Sequence, residues 1–311
     1  MKKSIQSIRP ICLLAILWSC QTIIDVDLPK HEPRIVLNSF FGTDTTFVFN
    51  ISLSRGILES ELFGYTNLSG ATIEVFEDGT SIGYATLTAD EAYYELPKKS
   101  KPGSTYSVQA SMTGYPDVKA TDLVPSYAPT VTIDKFTTVK DEYGGEAKQL
   151  TYHFDDPSGE DFYELLLYME VPRWDYYEDE DTSYVYQAGT MKELIYFNKV
   201  GAELNEFEDY DDTGLFNDNL FDGKRHSETI EYYFYYYDNG ETASEDPKLY
   251  LELRRVSEAY YNYKTSRSLQ QNAVDNPFAE AAQVYNNVED GYGIFASYNA
   301  NEISFTIPPD E

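Results

Sequence analysis

The chain has 311 residues, with 53 acidic side chains against 23 basic ones and a formal charge of -30. Hydrophobic residues at 42% place it among folded chains despite that charge, and the length suffices for one large domain or two ordinary ones. The acidic balance argues against nucleic acid, whose phosphates need a basic patch, and against electrostatic adsorption to anionic lipid.

In chain order, Lys2, Lys3 and Arg9 form a basic start, followed by an apolar run over residues 11–18. A run that short cannot span a bilayer, which needs ~20 apolar residues, but it has the length of a signal-peptide core. Residues 1–19 therefore read as a signal peptide. The stretch Leu17-Trp18-Ser19-Cys20 resembles a bacterial lipobox, which makes Cys20 the expected lipidation site and first mature residue; Trp18 departs from the usual small residue there. The other cysteine, Cys12, lies in the removed segment, so no disulfide is available to the mature chain. Loss of the three basic residues takes the charge to about -33 by the same counting.

Residues 20–33 read as a lipidated tether, broken by Pro29 and Pro33. From residue 34 short runs of period two take over. Phe47, Phe49, Ile51 and Leu53 alternate with polar or outward positions, and Asp78-Gly79 supplies a turn between two further runs. About seven strands in ~90 residues predict an antiparallel sandwich over 34–125. Residues 70–124 resemble a carboxypeptidase-regulatory-type or prealbumin-like β-sandwich, which implies a fold and no activity. Pro125 and Pro129 mark a boundary, and 130–311 reads as a second, larger β-rich domain with a helix at about 257–273, capped by Ser257. Acidic loops are expected around 175–181 and 203–222, and two closing strands over 293–298 and 303–307. The expected fold class is mainly β: an immunoglobulin-like or prealbumin-like sandwich followed by a larger β-sandwich with one helix.

The run Gln283-Val284-Tyr285-Asn286-Asn287-Val288-Glu289-Asp290-Gly291-Tyr292-Gly293-Ile294-Phe295 and the preceding Asn276-Pro277-Phe278 are distinctive. With Ile24-Asp25-Val26-Asp27-Leu28-Pro29 and Glu32-Pro33-Arg34 near the start, they resemble the Bacteroidota lipoprotein family known as domain of unknown function 4249. That resemblance implies an outer-membrane lipoprotein, often encoded beside TonB-dependent receptors, with no established ligand or reaction. It implies a lipid anchor in the outer-membrane bilayer, display at the cell surface and a TonB-dependent receptor as partner.

Catalytic motifs are lacking: His31, His153 and His226 stand in no metal pattern, and no nucleophile elbow or phosphate loop is present. A non-enzyme is expected, with no cofactor unless calcium. Asp209, Asp211 and Thr213 match the first half of an alternating calcium loop, and Asp218 or Asp222 could stand in for its missing final carboxylate, Leu220 occupying that place. A solvated acidic loop explains the same residues. The aromatic run 232–237 suits a central strand buried on both faces. Trp174, Tyr176 and Tyr177 are the candidate ligand or partner contacts. The expected function is a non-enzymatic accessory of a TonB-dependent transporter, acting in ligand capture or as a lid. A stand-alone surface binding or adhesive module, for glycans for example, is the alternative.

Overall fold

The computed structural model describes residues 31–56, 68–89, 93–140, 145–179, 182–201, 214–233, 248–274 and 282–306. The expected signal peptide, Cys20 and all but the last residues of the tether lie outside the described residues. Strands β1 (Ile35–Gly42), β2 (Thr46–Leu53), β3 (Thr72–Glu77), β4 (Thr80–Leu87), β5 (Tyr94–Lys99), β6 (Thr105–Ser111) and β7 (Val118–Leu123) form the first half. The second half holds β8 (Thr132–Lys140), β9 (Glu146–Asp155), β10 (Phe162–Asp179), β11 (Thr182–Ile195), β12 (Phe197–Lys199), β13 (Leu215–Asn217), β14 (Arg225–Tyr232) and β15 (Lys248–Val256). Helix α1 (Glu258–Val274) and strand β16 (Tyr292–Thr306) complete it. The fold is mainly β, as expected, and sandwich-like.

Period-two alternation does the work in the first half. Ile35, Leu37 and Phe41 of β1 and Phe47, Phe49 and Ile51 of β2 are fully buried, and their alternate neighbours are not. The β3–β4 turn is made by Asp78 and Gly79, both at positive φ (48° and 79°), as a two-residue hairpin requires. Strands β1 to β7 curl so that their inward faces meet in one core around Phe41, Phe47, Tyr106 and Val108.

The halves are not separate bodies. One sheet runs in the order β11-β10-β15-β16-β1-β2-β5-β4-β3-β6-β7, with β13 beside β10. The link is a parallel pairing of β1 with β16, from Val36 opposite Tyr292 to Gly42 opposite Tyr298. Where two closing strands were expected, β16 is continuous over 15 residues. Its start pairs with β1, and its remainder pairs with β15 out to Thr306 opposite Lys248. Phe295 of β16 enters the first core and Ile303 and Phe305 pack on the second, all on one face of the strand. The 125–129 connector therefore lies between two cores that share a strand, and the C-terminal segment contributes to both. The second core forms where Leu165, Leu167, Leu249, Leu251 and Leu253 meet a smaller sheet in the order β12-β14-β9-β8, through Leu150, Phe154 and Ile230.

On the opposite face lies α1, as expected and within a residue of its predicted ends. The Ser257 hydroxyl accepts the Tyr260 N–H at 3.2 Å and caps it. Tyr260 and Tyr263 meet Phe40 edge-on, with centroids 5.0 and 5.6 Å apart. Of the 232–237 run, Tyr232 ends β14 fully buried, Tyr233 is half-buried, and 234–237 lie outside the described residues.

The expectation of an acidic loop at 175–181 is corrected: β10 and β11 pair as a hairpin from Leu167 opposite Ile195 to Asp179 opposite Thr182. Aromatic and β-branched residues there favour the pleated ribbon over a loop despite the charge. Part of the expected 203–222 loop, residues 203–213, lies outside the described residues; the rest forms β13 and the turns that follow.

The segment before β16 packs as a loop that caps the first core, and Val288 is buried in it. The Asn287 side chain bonds both the carbonyl and the N–H of Phe295, at 2.8 and 3.0 Å, in the manner of a neighbouring strand. Gly291 and Gly293 are required by close approach. A Cβ on Gly291 would lie 2.5 Å from the Ile35 carbonyl oxygen, and one on Gly293, whose φ is 118°, would overlap the Leu37 carbonyl. Gly293→Ala should therefore disrupt the β1–β16 join and cost about 3 kcal/mol or more, read as a fall in thermal melting temperature.

A polar junction also ties the halves. Asp122 of β7 accepts the backbone N–H and the hydroxyl of Ser297, both at 2.6 Å, and Asn299 donates to the Pro125 carbonyl at 2.9 Å. Burial pushes the Asp122 carboxyl up to about 6, against the opposing pull of its hydrogen bonds from Ser297 and Ser257. The native state thus holds this proton more tightly than the unfolded chain. Its contribution is present below pH ~4 and is lost as pH rises through about 6. Asp122→Asn keeps an acceptor and removes the charge, so its melting temperature should climb relative to wild type between pH 4 and 7, by the equivalent of roughly 2 kcal/mol. Parallel pH profiles for the two proteins would contradict this.

Candidate functional site

Two side-chain clusters and one exposed surface bear on function. The first cluster is acidic. Asp156 follows β9, and Asp218 and Asp222 lie in the turns after β13; one carboxylate oxygen from each lies within 4.8 Å of the others. The sequence reading of Asp218 as a calcium ligand paired it with Asp209, Asp211 and Thr213, which lie outside the described residues. The structure instead sets it beside Asp156, far away in sequence. Three carboxylates at this spacing could hold a hard cation.

Their visible work is to staple loops. The Tyr163 hydroxyl donates to Asp156 Oδ1, and the Gly223 N–H to Asp156 Oδ2 at 2.9 Å. The Asp161 N–H donates to Asp218 at 3.1 Å, and the Gly159 N–H to Asp222 at 2.9 Å. Burial first, then the charges of Asp156 and Asp161, raise the Asp218 carboxyl against its backbone hydrogen bonds. Asp161 is neutralised by Arg255, whose guanidinium also lies 4.1 Å over the Tyr127 ring. The Tyr127 hydroxyl reaches both Asp161 and Tyr163, at 3.0 and 2.9 Å, so the 125–129 connector is bound into the same network.

The second cluster lies between α1 and the β10–β15 pair. Glu164 stands directly opposite Arg254, and Leu166 opposite Glu252. Arg254 donates through Nη1 to Glu164 at 3.1 Å and through Nε to Glu252 at 2.6 Å, and its guanidinium lies 4.2 Å over the Tyr298 ring. The Tyr260 hydroxyl donates to Glu164 at 2.7 Å, and Lys264 reaches the other Glu164 oxygen at 3.6 Å. Burial opposes the charge on Arg254, yet Glu164 and Glu252 outweigh it and hold its pKa well above the usual value. Burial raises Glu252 in turn, with Arg254 pulling the other way. Above this network opens a cavity of about 380 Å³, lined by Tyr168, Leu194, Tyr196, Arg254, Lys264 and Arg267 among others. Burial pushes the Tyr168 hydroxyl up to about 12, so it stays a neutral donor at ordinary pH. Sequence reading passed over this site; the available signal was charge inside apolar strands, Glu164 in FYELLL and Glu252 and Arg254 in LYLELRR.

The exposed surface is the β10–β11 hairpin. Pairing of β10 with β15 ends at Met169, and β10 continues to Asp179 with only β11 beside it among the described residues. Trp174 is 56% and Tyr177 42% exposed, and Met191 is also exposed. Strand alternation puts positions 174 and 177 on opposite faces, so the expected contact cluster is divided between two faces of a ribbon. The side chain of Tyr176 lies outside the described residues.

The histidines do not converge. His31 contacts the Ser54 hydroxyl at 2.9 Å, His153 pairs with Asp134 at 2.7 Å, and His226 stacks on Phe221 at 4.1 Å.

If the acidic cluster is a structural staple, its members should differ sharply on truncation. Asp156→Ala removes the acceptor of the buried Tyr163 hydroxyl, strands the Gly223 N–H and should cost about 3 kcal/mol. Asp222→Ala, at an exposed position, should cost less than about 1 kcal/mol. Urea unfolding of both variants makes the comparison.

No curated protein matches the sequence. Among solved structures, a protein of Corynebacterium diphtheriae described as membrane anchored is 9% identical, with a TM-score of 0.19. The match covers 91% of this chain but 62% of that one, and a likeness so distant carries no argument about function. The family comparison is of another order: residues 21–304, nearly all of the chain after the apolar start, match one family. With strand order, capping loop and helix all falling inside that span, the chain belongs to the family described as domain of unknown function DUF4249.

Proposed function

We propose that the protein is a lipid-anchored lipoprotein of the outer membrane, displayed at the cell surface, that acts as a non-enzymatic accessory of a TonB-dependent transporter. Its contribution is ligand capture or a lid. The basic start, the apolar run and Cys20 support the anchor. Among the described residues no helix is long and apolar enough to cross a membrane.

The observation that carries the partnership is the hairpin. A two-stranded ribbon alone in water is marginal, and this one runs about 30 Å beyond the strand that supports it, at ~3.4 Å per residue. Trp174 and Tyr177 expose large amphipathic rings on it, the residue types enriched in protein contacts. An acidic ribbon with aromatic anchors suits the polar, loop-rich rim of a β-barrel better than a lipid surface of like charge. The second reading, a stand-alone binding module for glycans, is favoured by one feature: Tyr168 and Tyr196 line the cavity beside α1.

Solubilisation in mild detergent, affinity capture and mass spectrometry test the leading reading. A TonB-dependent barrel should co-purify with the wild-type protein, and Trp174→Ala with Tyr177→Ala should reduce its yield at least tenfold without changing the melting temperature. Cys20→Ala should release the protein from the membrane fraction. Recovery of the intact protein with no such barrel would exclude the partnership.

A further inference from the structure

We infer that the cavity between α1 and the β10–β15 pair is a binding site for a neutral saccharide of one or two pyranose rings. This rests on the capture reading and names the class of what is captured.

The two sides of the cavity differ in kind. Its floor is the sheet face turned away from the second core: Leu166 and Tyr168 at alternate positions of β10, with Leu194 of β11 directly opposite Tyr168. Leu194 and the adjoining Tyr196 are 39% and 53% exposed, so this apolar floor stands open to water. The roof is α1. Its first turns meet the sheet through Ala259, Tyr260 and Tyr263, as a covering helix should. Further along, the cavity side of the helix carries Lys264, Arg267 and Gln271 instead. Spacings of three and four residues put all three on one face, where packing alone would call for apolar side chains.

The charges at the back of the cavity are already matched. Arg254 is held by Glu164 and Glu252, and Lys264 stands 3.6 Å from Glu164. An ion entering would shed its water without meeting an unmatched counter-charge there. Arg267 is exposed, so its charge stays solvated and screened. A neutral ligand carries no such penalty. Hydrogen-bonding capacity does remain: the Tyr168 hydroxyl and the Gln271 amide line the cavity and make no hydrogen bond among the described residues.

A sugar ring suits both sides at once. Its C–H face matches the apolar floor with Tyr168 and Tyr196, and its hydroxyls both donate to and accept from the polar groups of the roof. A purely apolar ring would leave those roof groups unpaired, and a charged sugar gains nothing over a neutral one. A cavity of about 380 Å³ lies at the small end of the ~300–1,000 Å³ range for ligand sites, enough for one or two pyranose rings.

Isothermal titration calorimetry on the full-length protein, in a detergent without a sugar headgroup, tests this. The neutral probes are glucose, galactose, N-acetylglucosamine and cellobiose; glucuronate, galacturonate and benzyl alcohol are the comparisons. Saturable binding of at least one neutral sugar is expected, with each uronate no tighter than its neutral parent and benzyl alcohol at least tenfold weaker. Gln271→Ala and Tyr196→Ala should each weaken that binding about tenfold at unchanged melting temperature, and Tyr196→Phe should retain most of it. The assignment is overturned if no neutral sugar binds, if a uronate binds tenfold more tightly than its parent, or if benzyl alcohol binds as well. It is equally overturned if both alanine variants leave affinity unchanged in a folded protein. Failure here with an intact co-purifying barrel rejects the ligand class alone. Sugar binding without any barrel rejects the transporter partnership alone.

Discussion

The parallel pairing of β1 with β16 is the constraint on which the rest of the structure depends. A parallel pair needs a crossover, and here the crossover is almost the entire chain. Because β16 continues past β1 into an antiparallel pairing with β15, one strand fixes the relative position of two cores. The glycines at 291 and 293 matter for that reason: they let the strand start against the carbonyls of β1 without side-chain collision. Helix α1 is seated by the same strand, through Ile294, Ala296 and Tyr298.

With that frame in place, the distribution of charge has a plain account. Among the described residues most acidic side chains lie outside the cores, where they cost little. The acids that are buried are each met by donors: Asp161 by Arg255, Glu164 by Arg254 and Tyr260, Asp156 by Tyr163 and Gly223. These networks lie at seams, where the connector meets the second core and where α1 meets the sheet. Replacing such groups by apolar residues need not destabilise the fold, but removing one partner leaves a buried charge uncompensated. Their positions at seams accord with a role in fixing geometry more than in adding stability.

Local order was legible in the sequence and long-range order was not. Alternation in Phe47, Phe49 and Ile51, the Asp78-Gly79 turn and the Ser257 cap each act within a few residues, and each appears where the sequence puts it. The β10–β11 hairpin was obscured because its acidic residues resemble a loop, whereas Trp174 and its neighbours on the ribbon decide for a strand. The β1–β16 pairing leaves no local trace beyond Gly291 and Gly293, whose need for space is visible only when Ile35 and Leu37 lie against them. The same holds for the two clusters. Asp218 stood out in sequence for its neighbours in an acidic stretch, but its partners are Asp156 and Asp161. Glu164 and Arg254 looked like stray charges in apolar strands until register placed them face to face.

The shared strand also governs the order in which the molecule can assemble. The first core contains Phe295 and Val288, so residues 35–124 cannot finish packing while the end of the chain is still being delivered. Until β16 arrives, β1 presents one edge with unpaired backbone groups, and the hydrophobic ring cluster of Phe41, Phe47 and Phe49 lacks its cover. Contacts this distant in sequence form late and slowly. A chain that emerges from its N-terminus therefore closes its first core last, when the final strand joins the two halves.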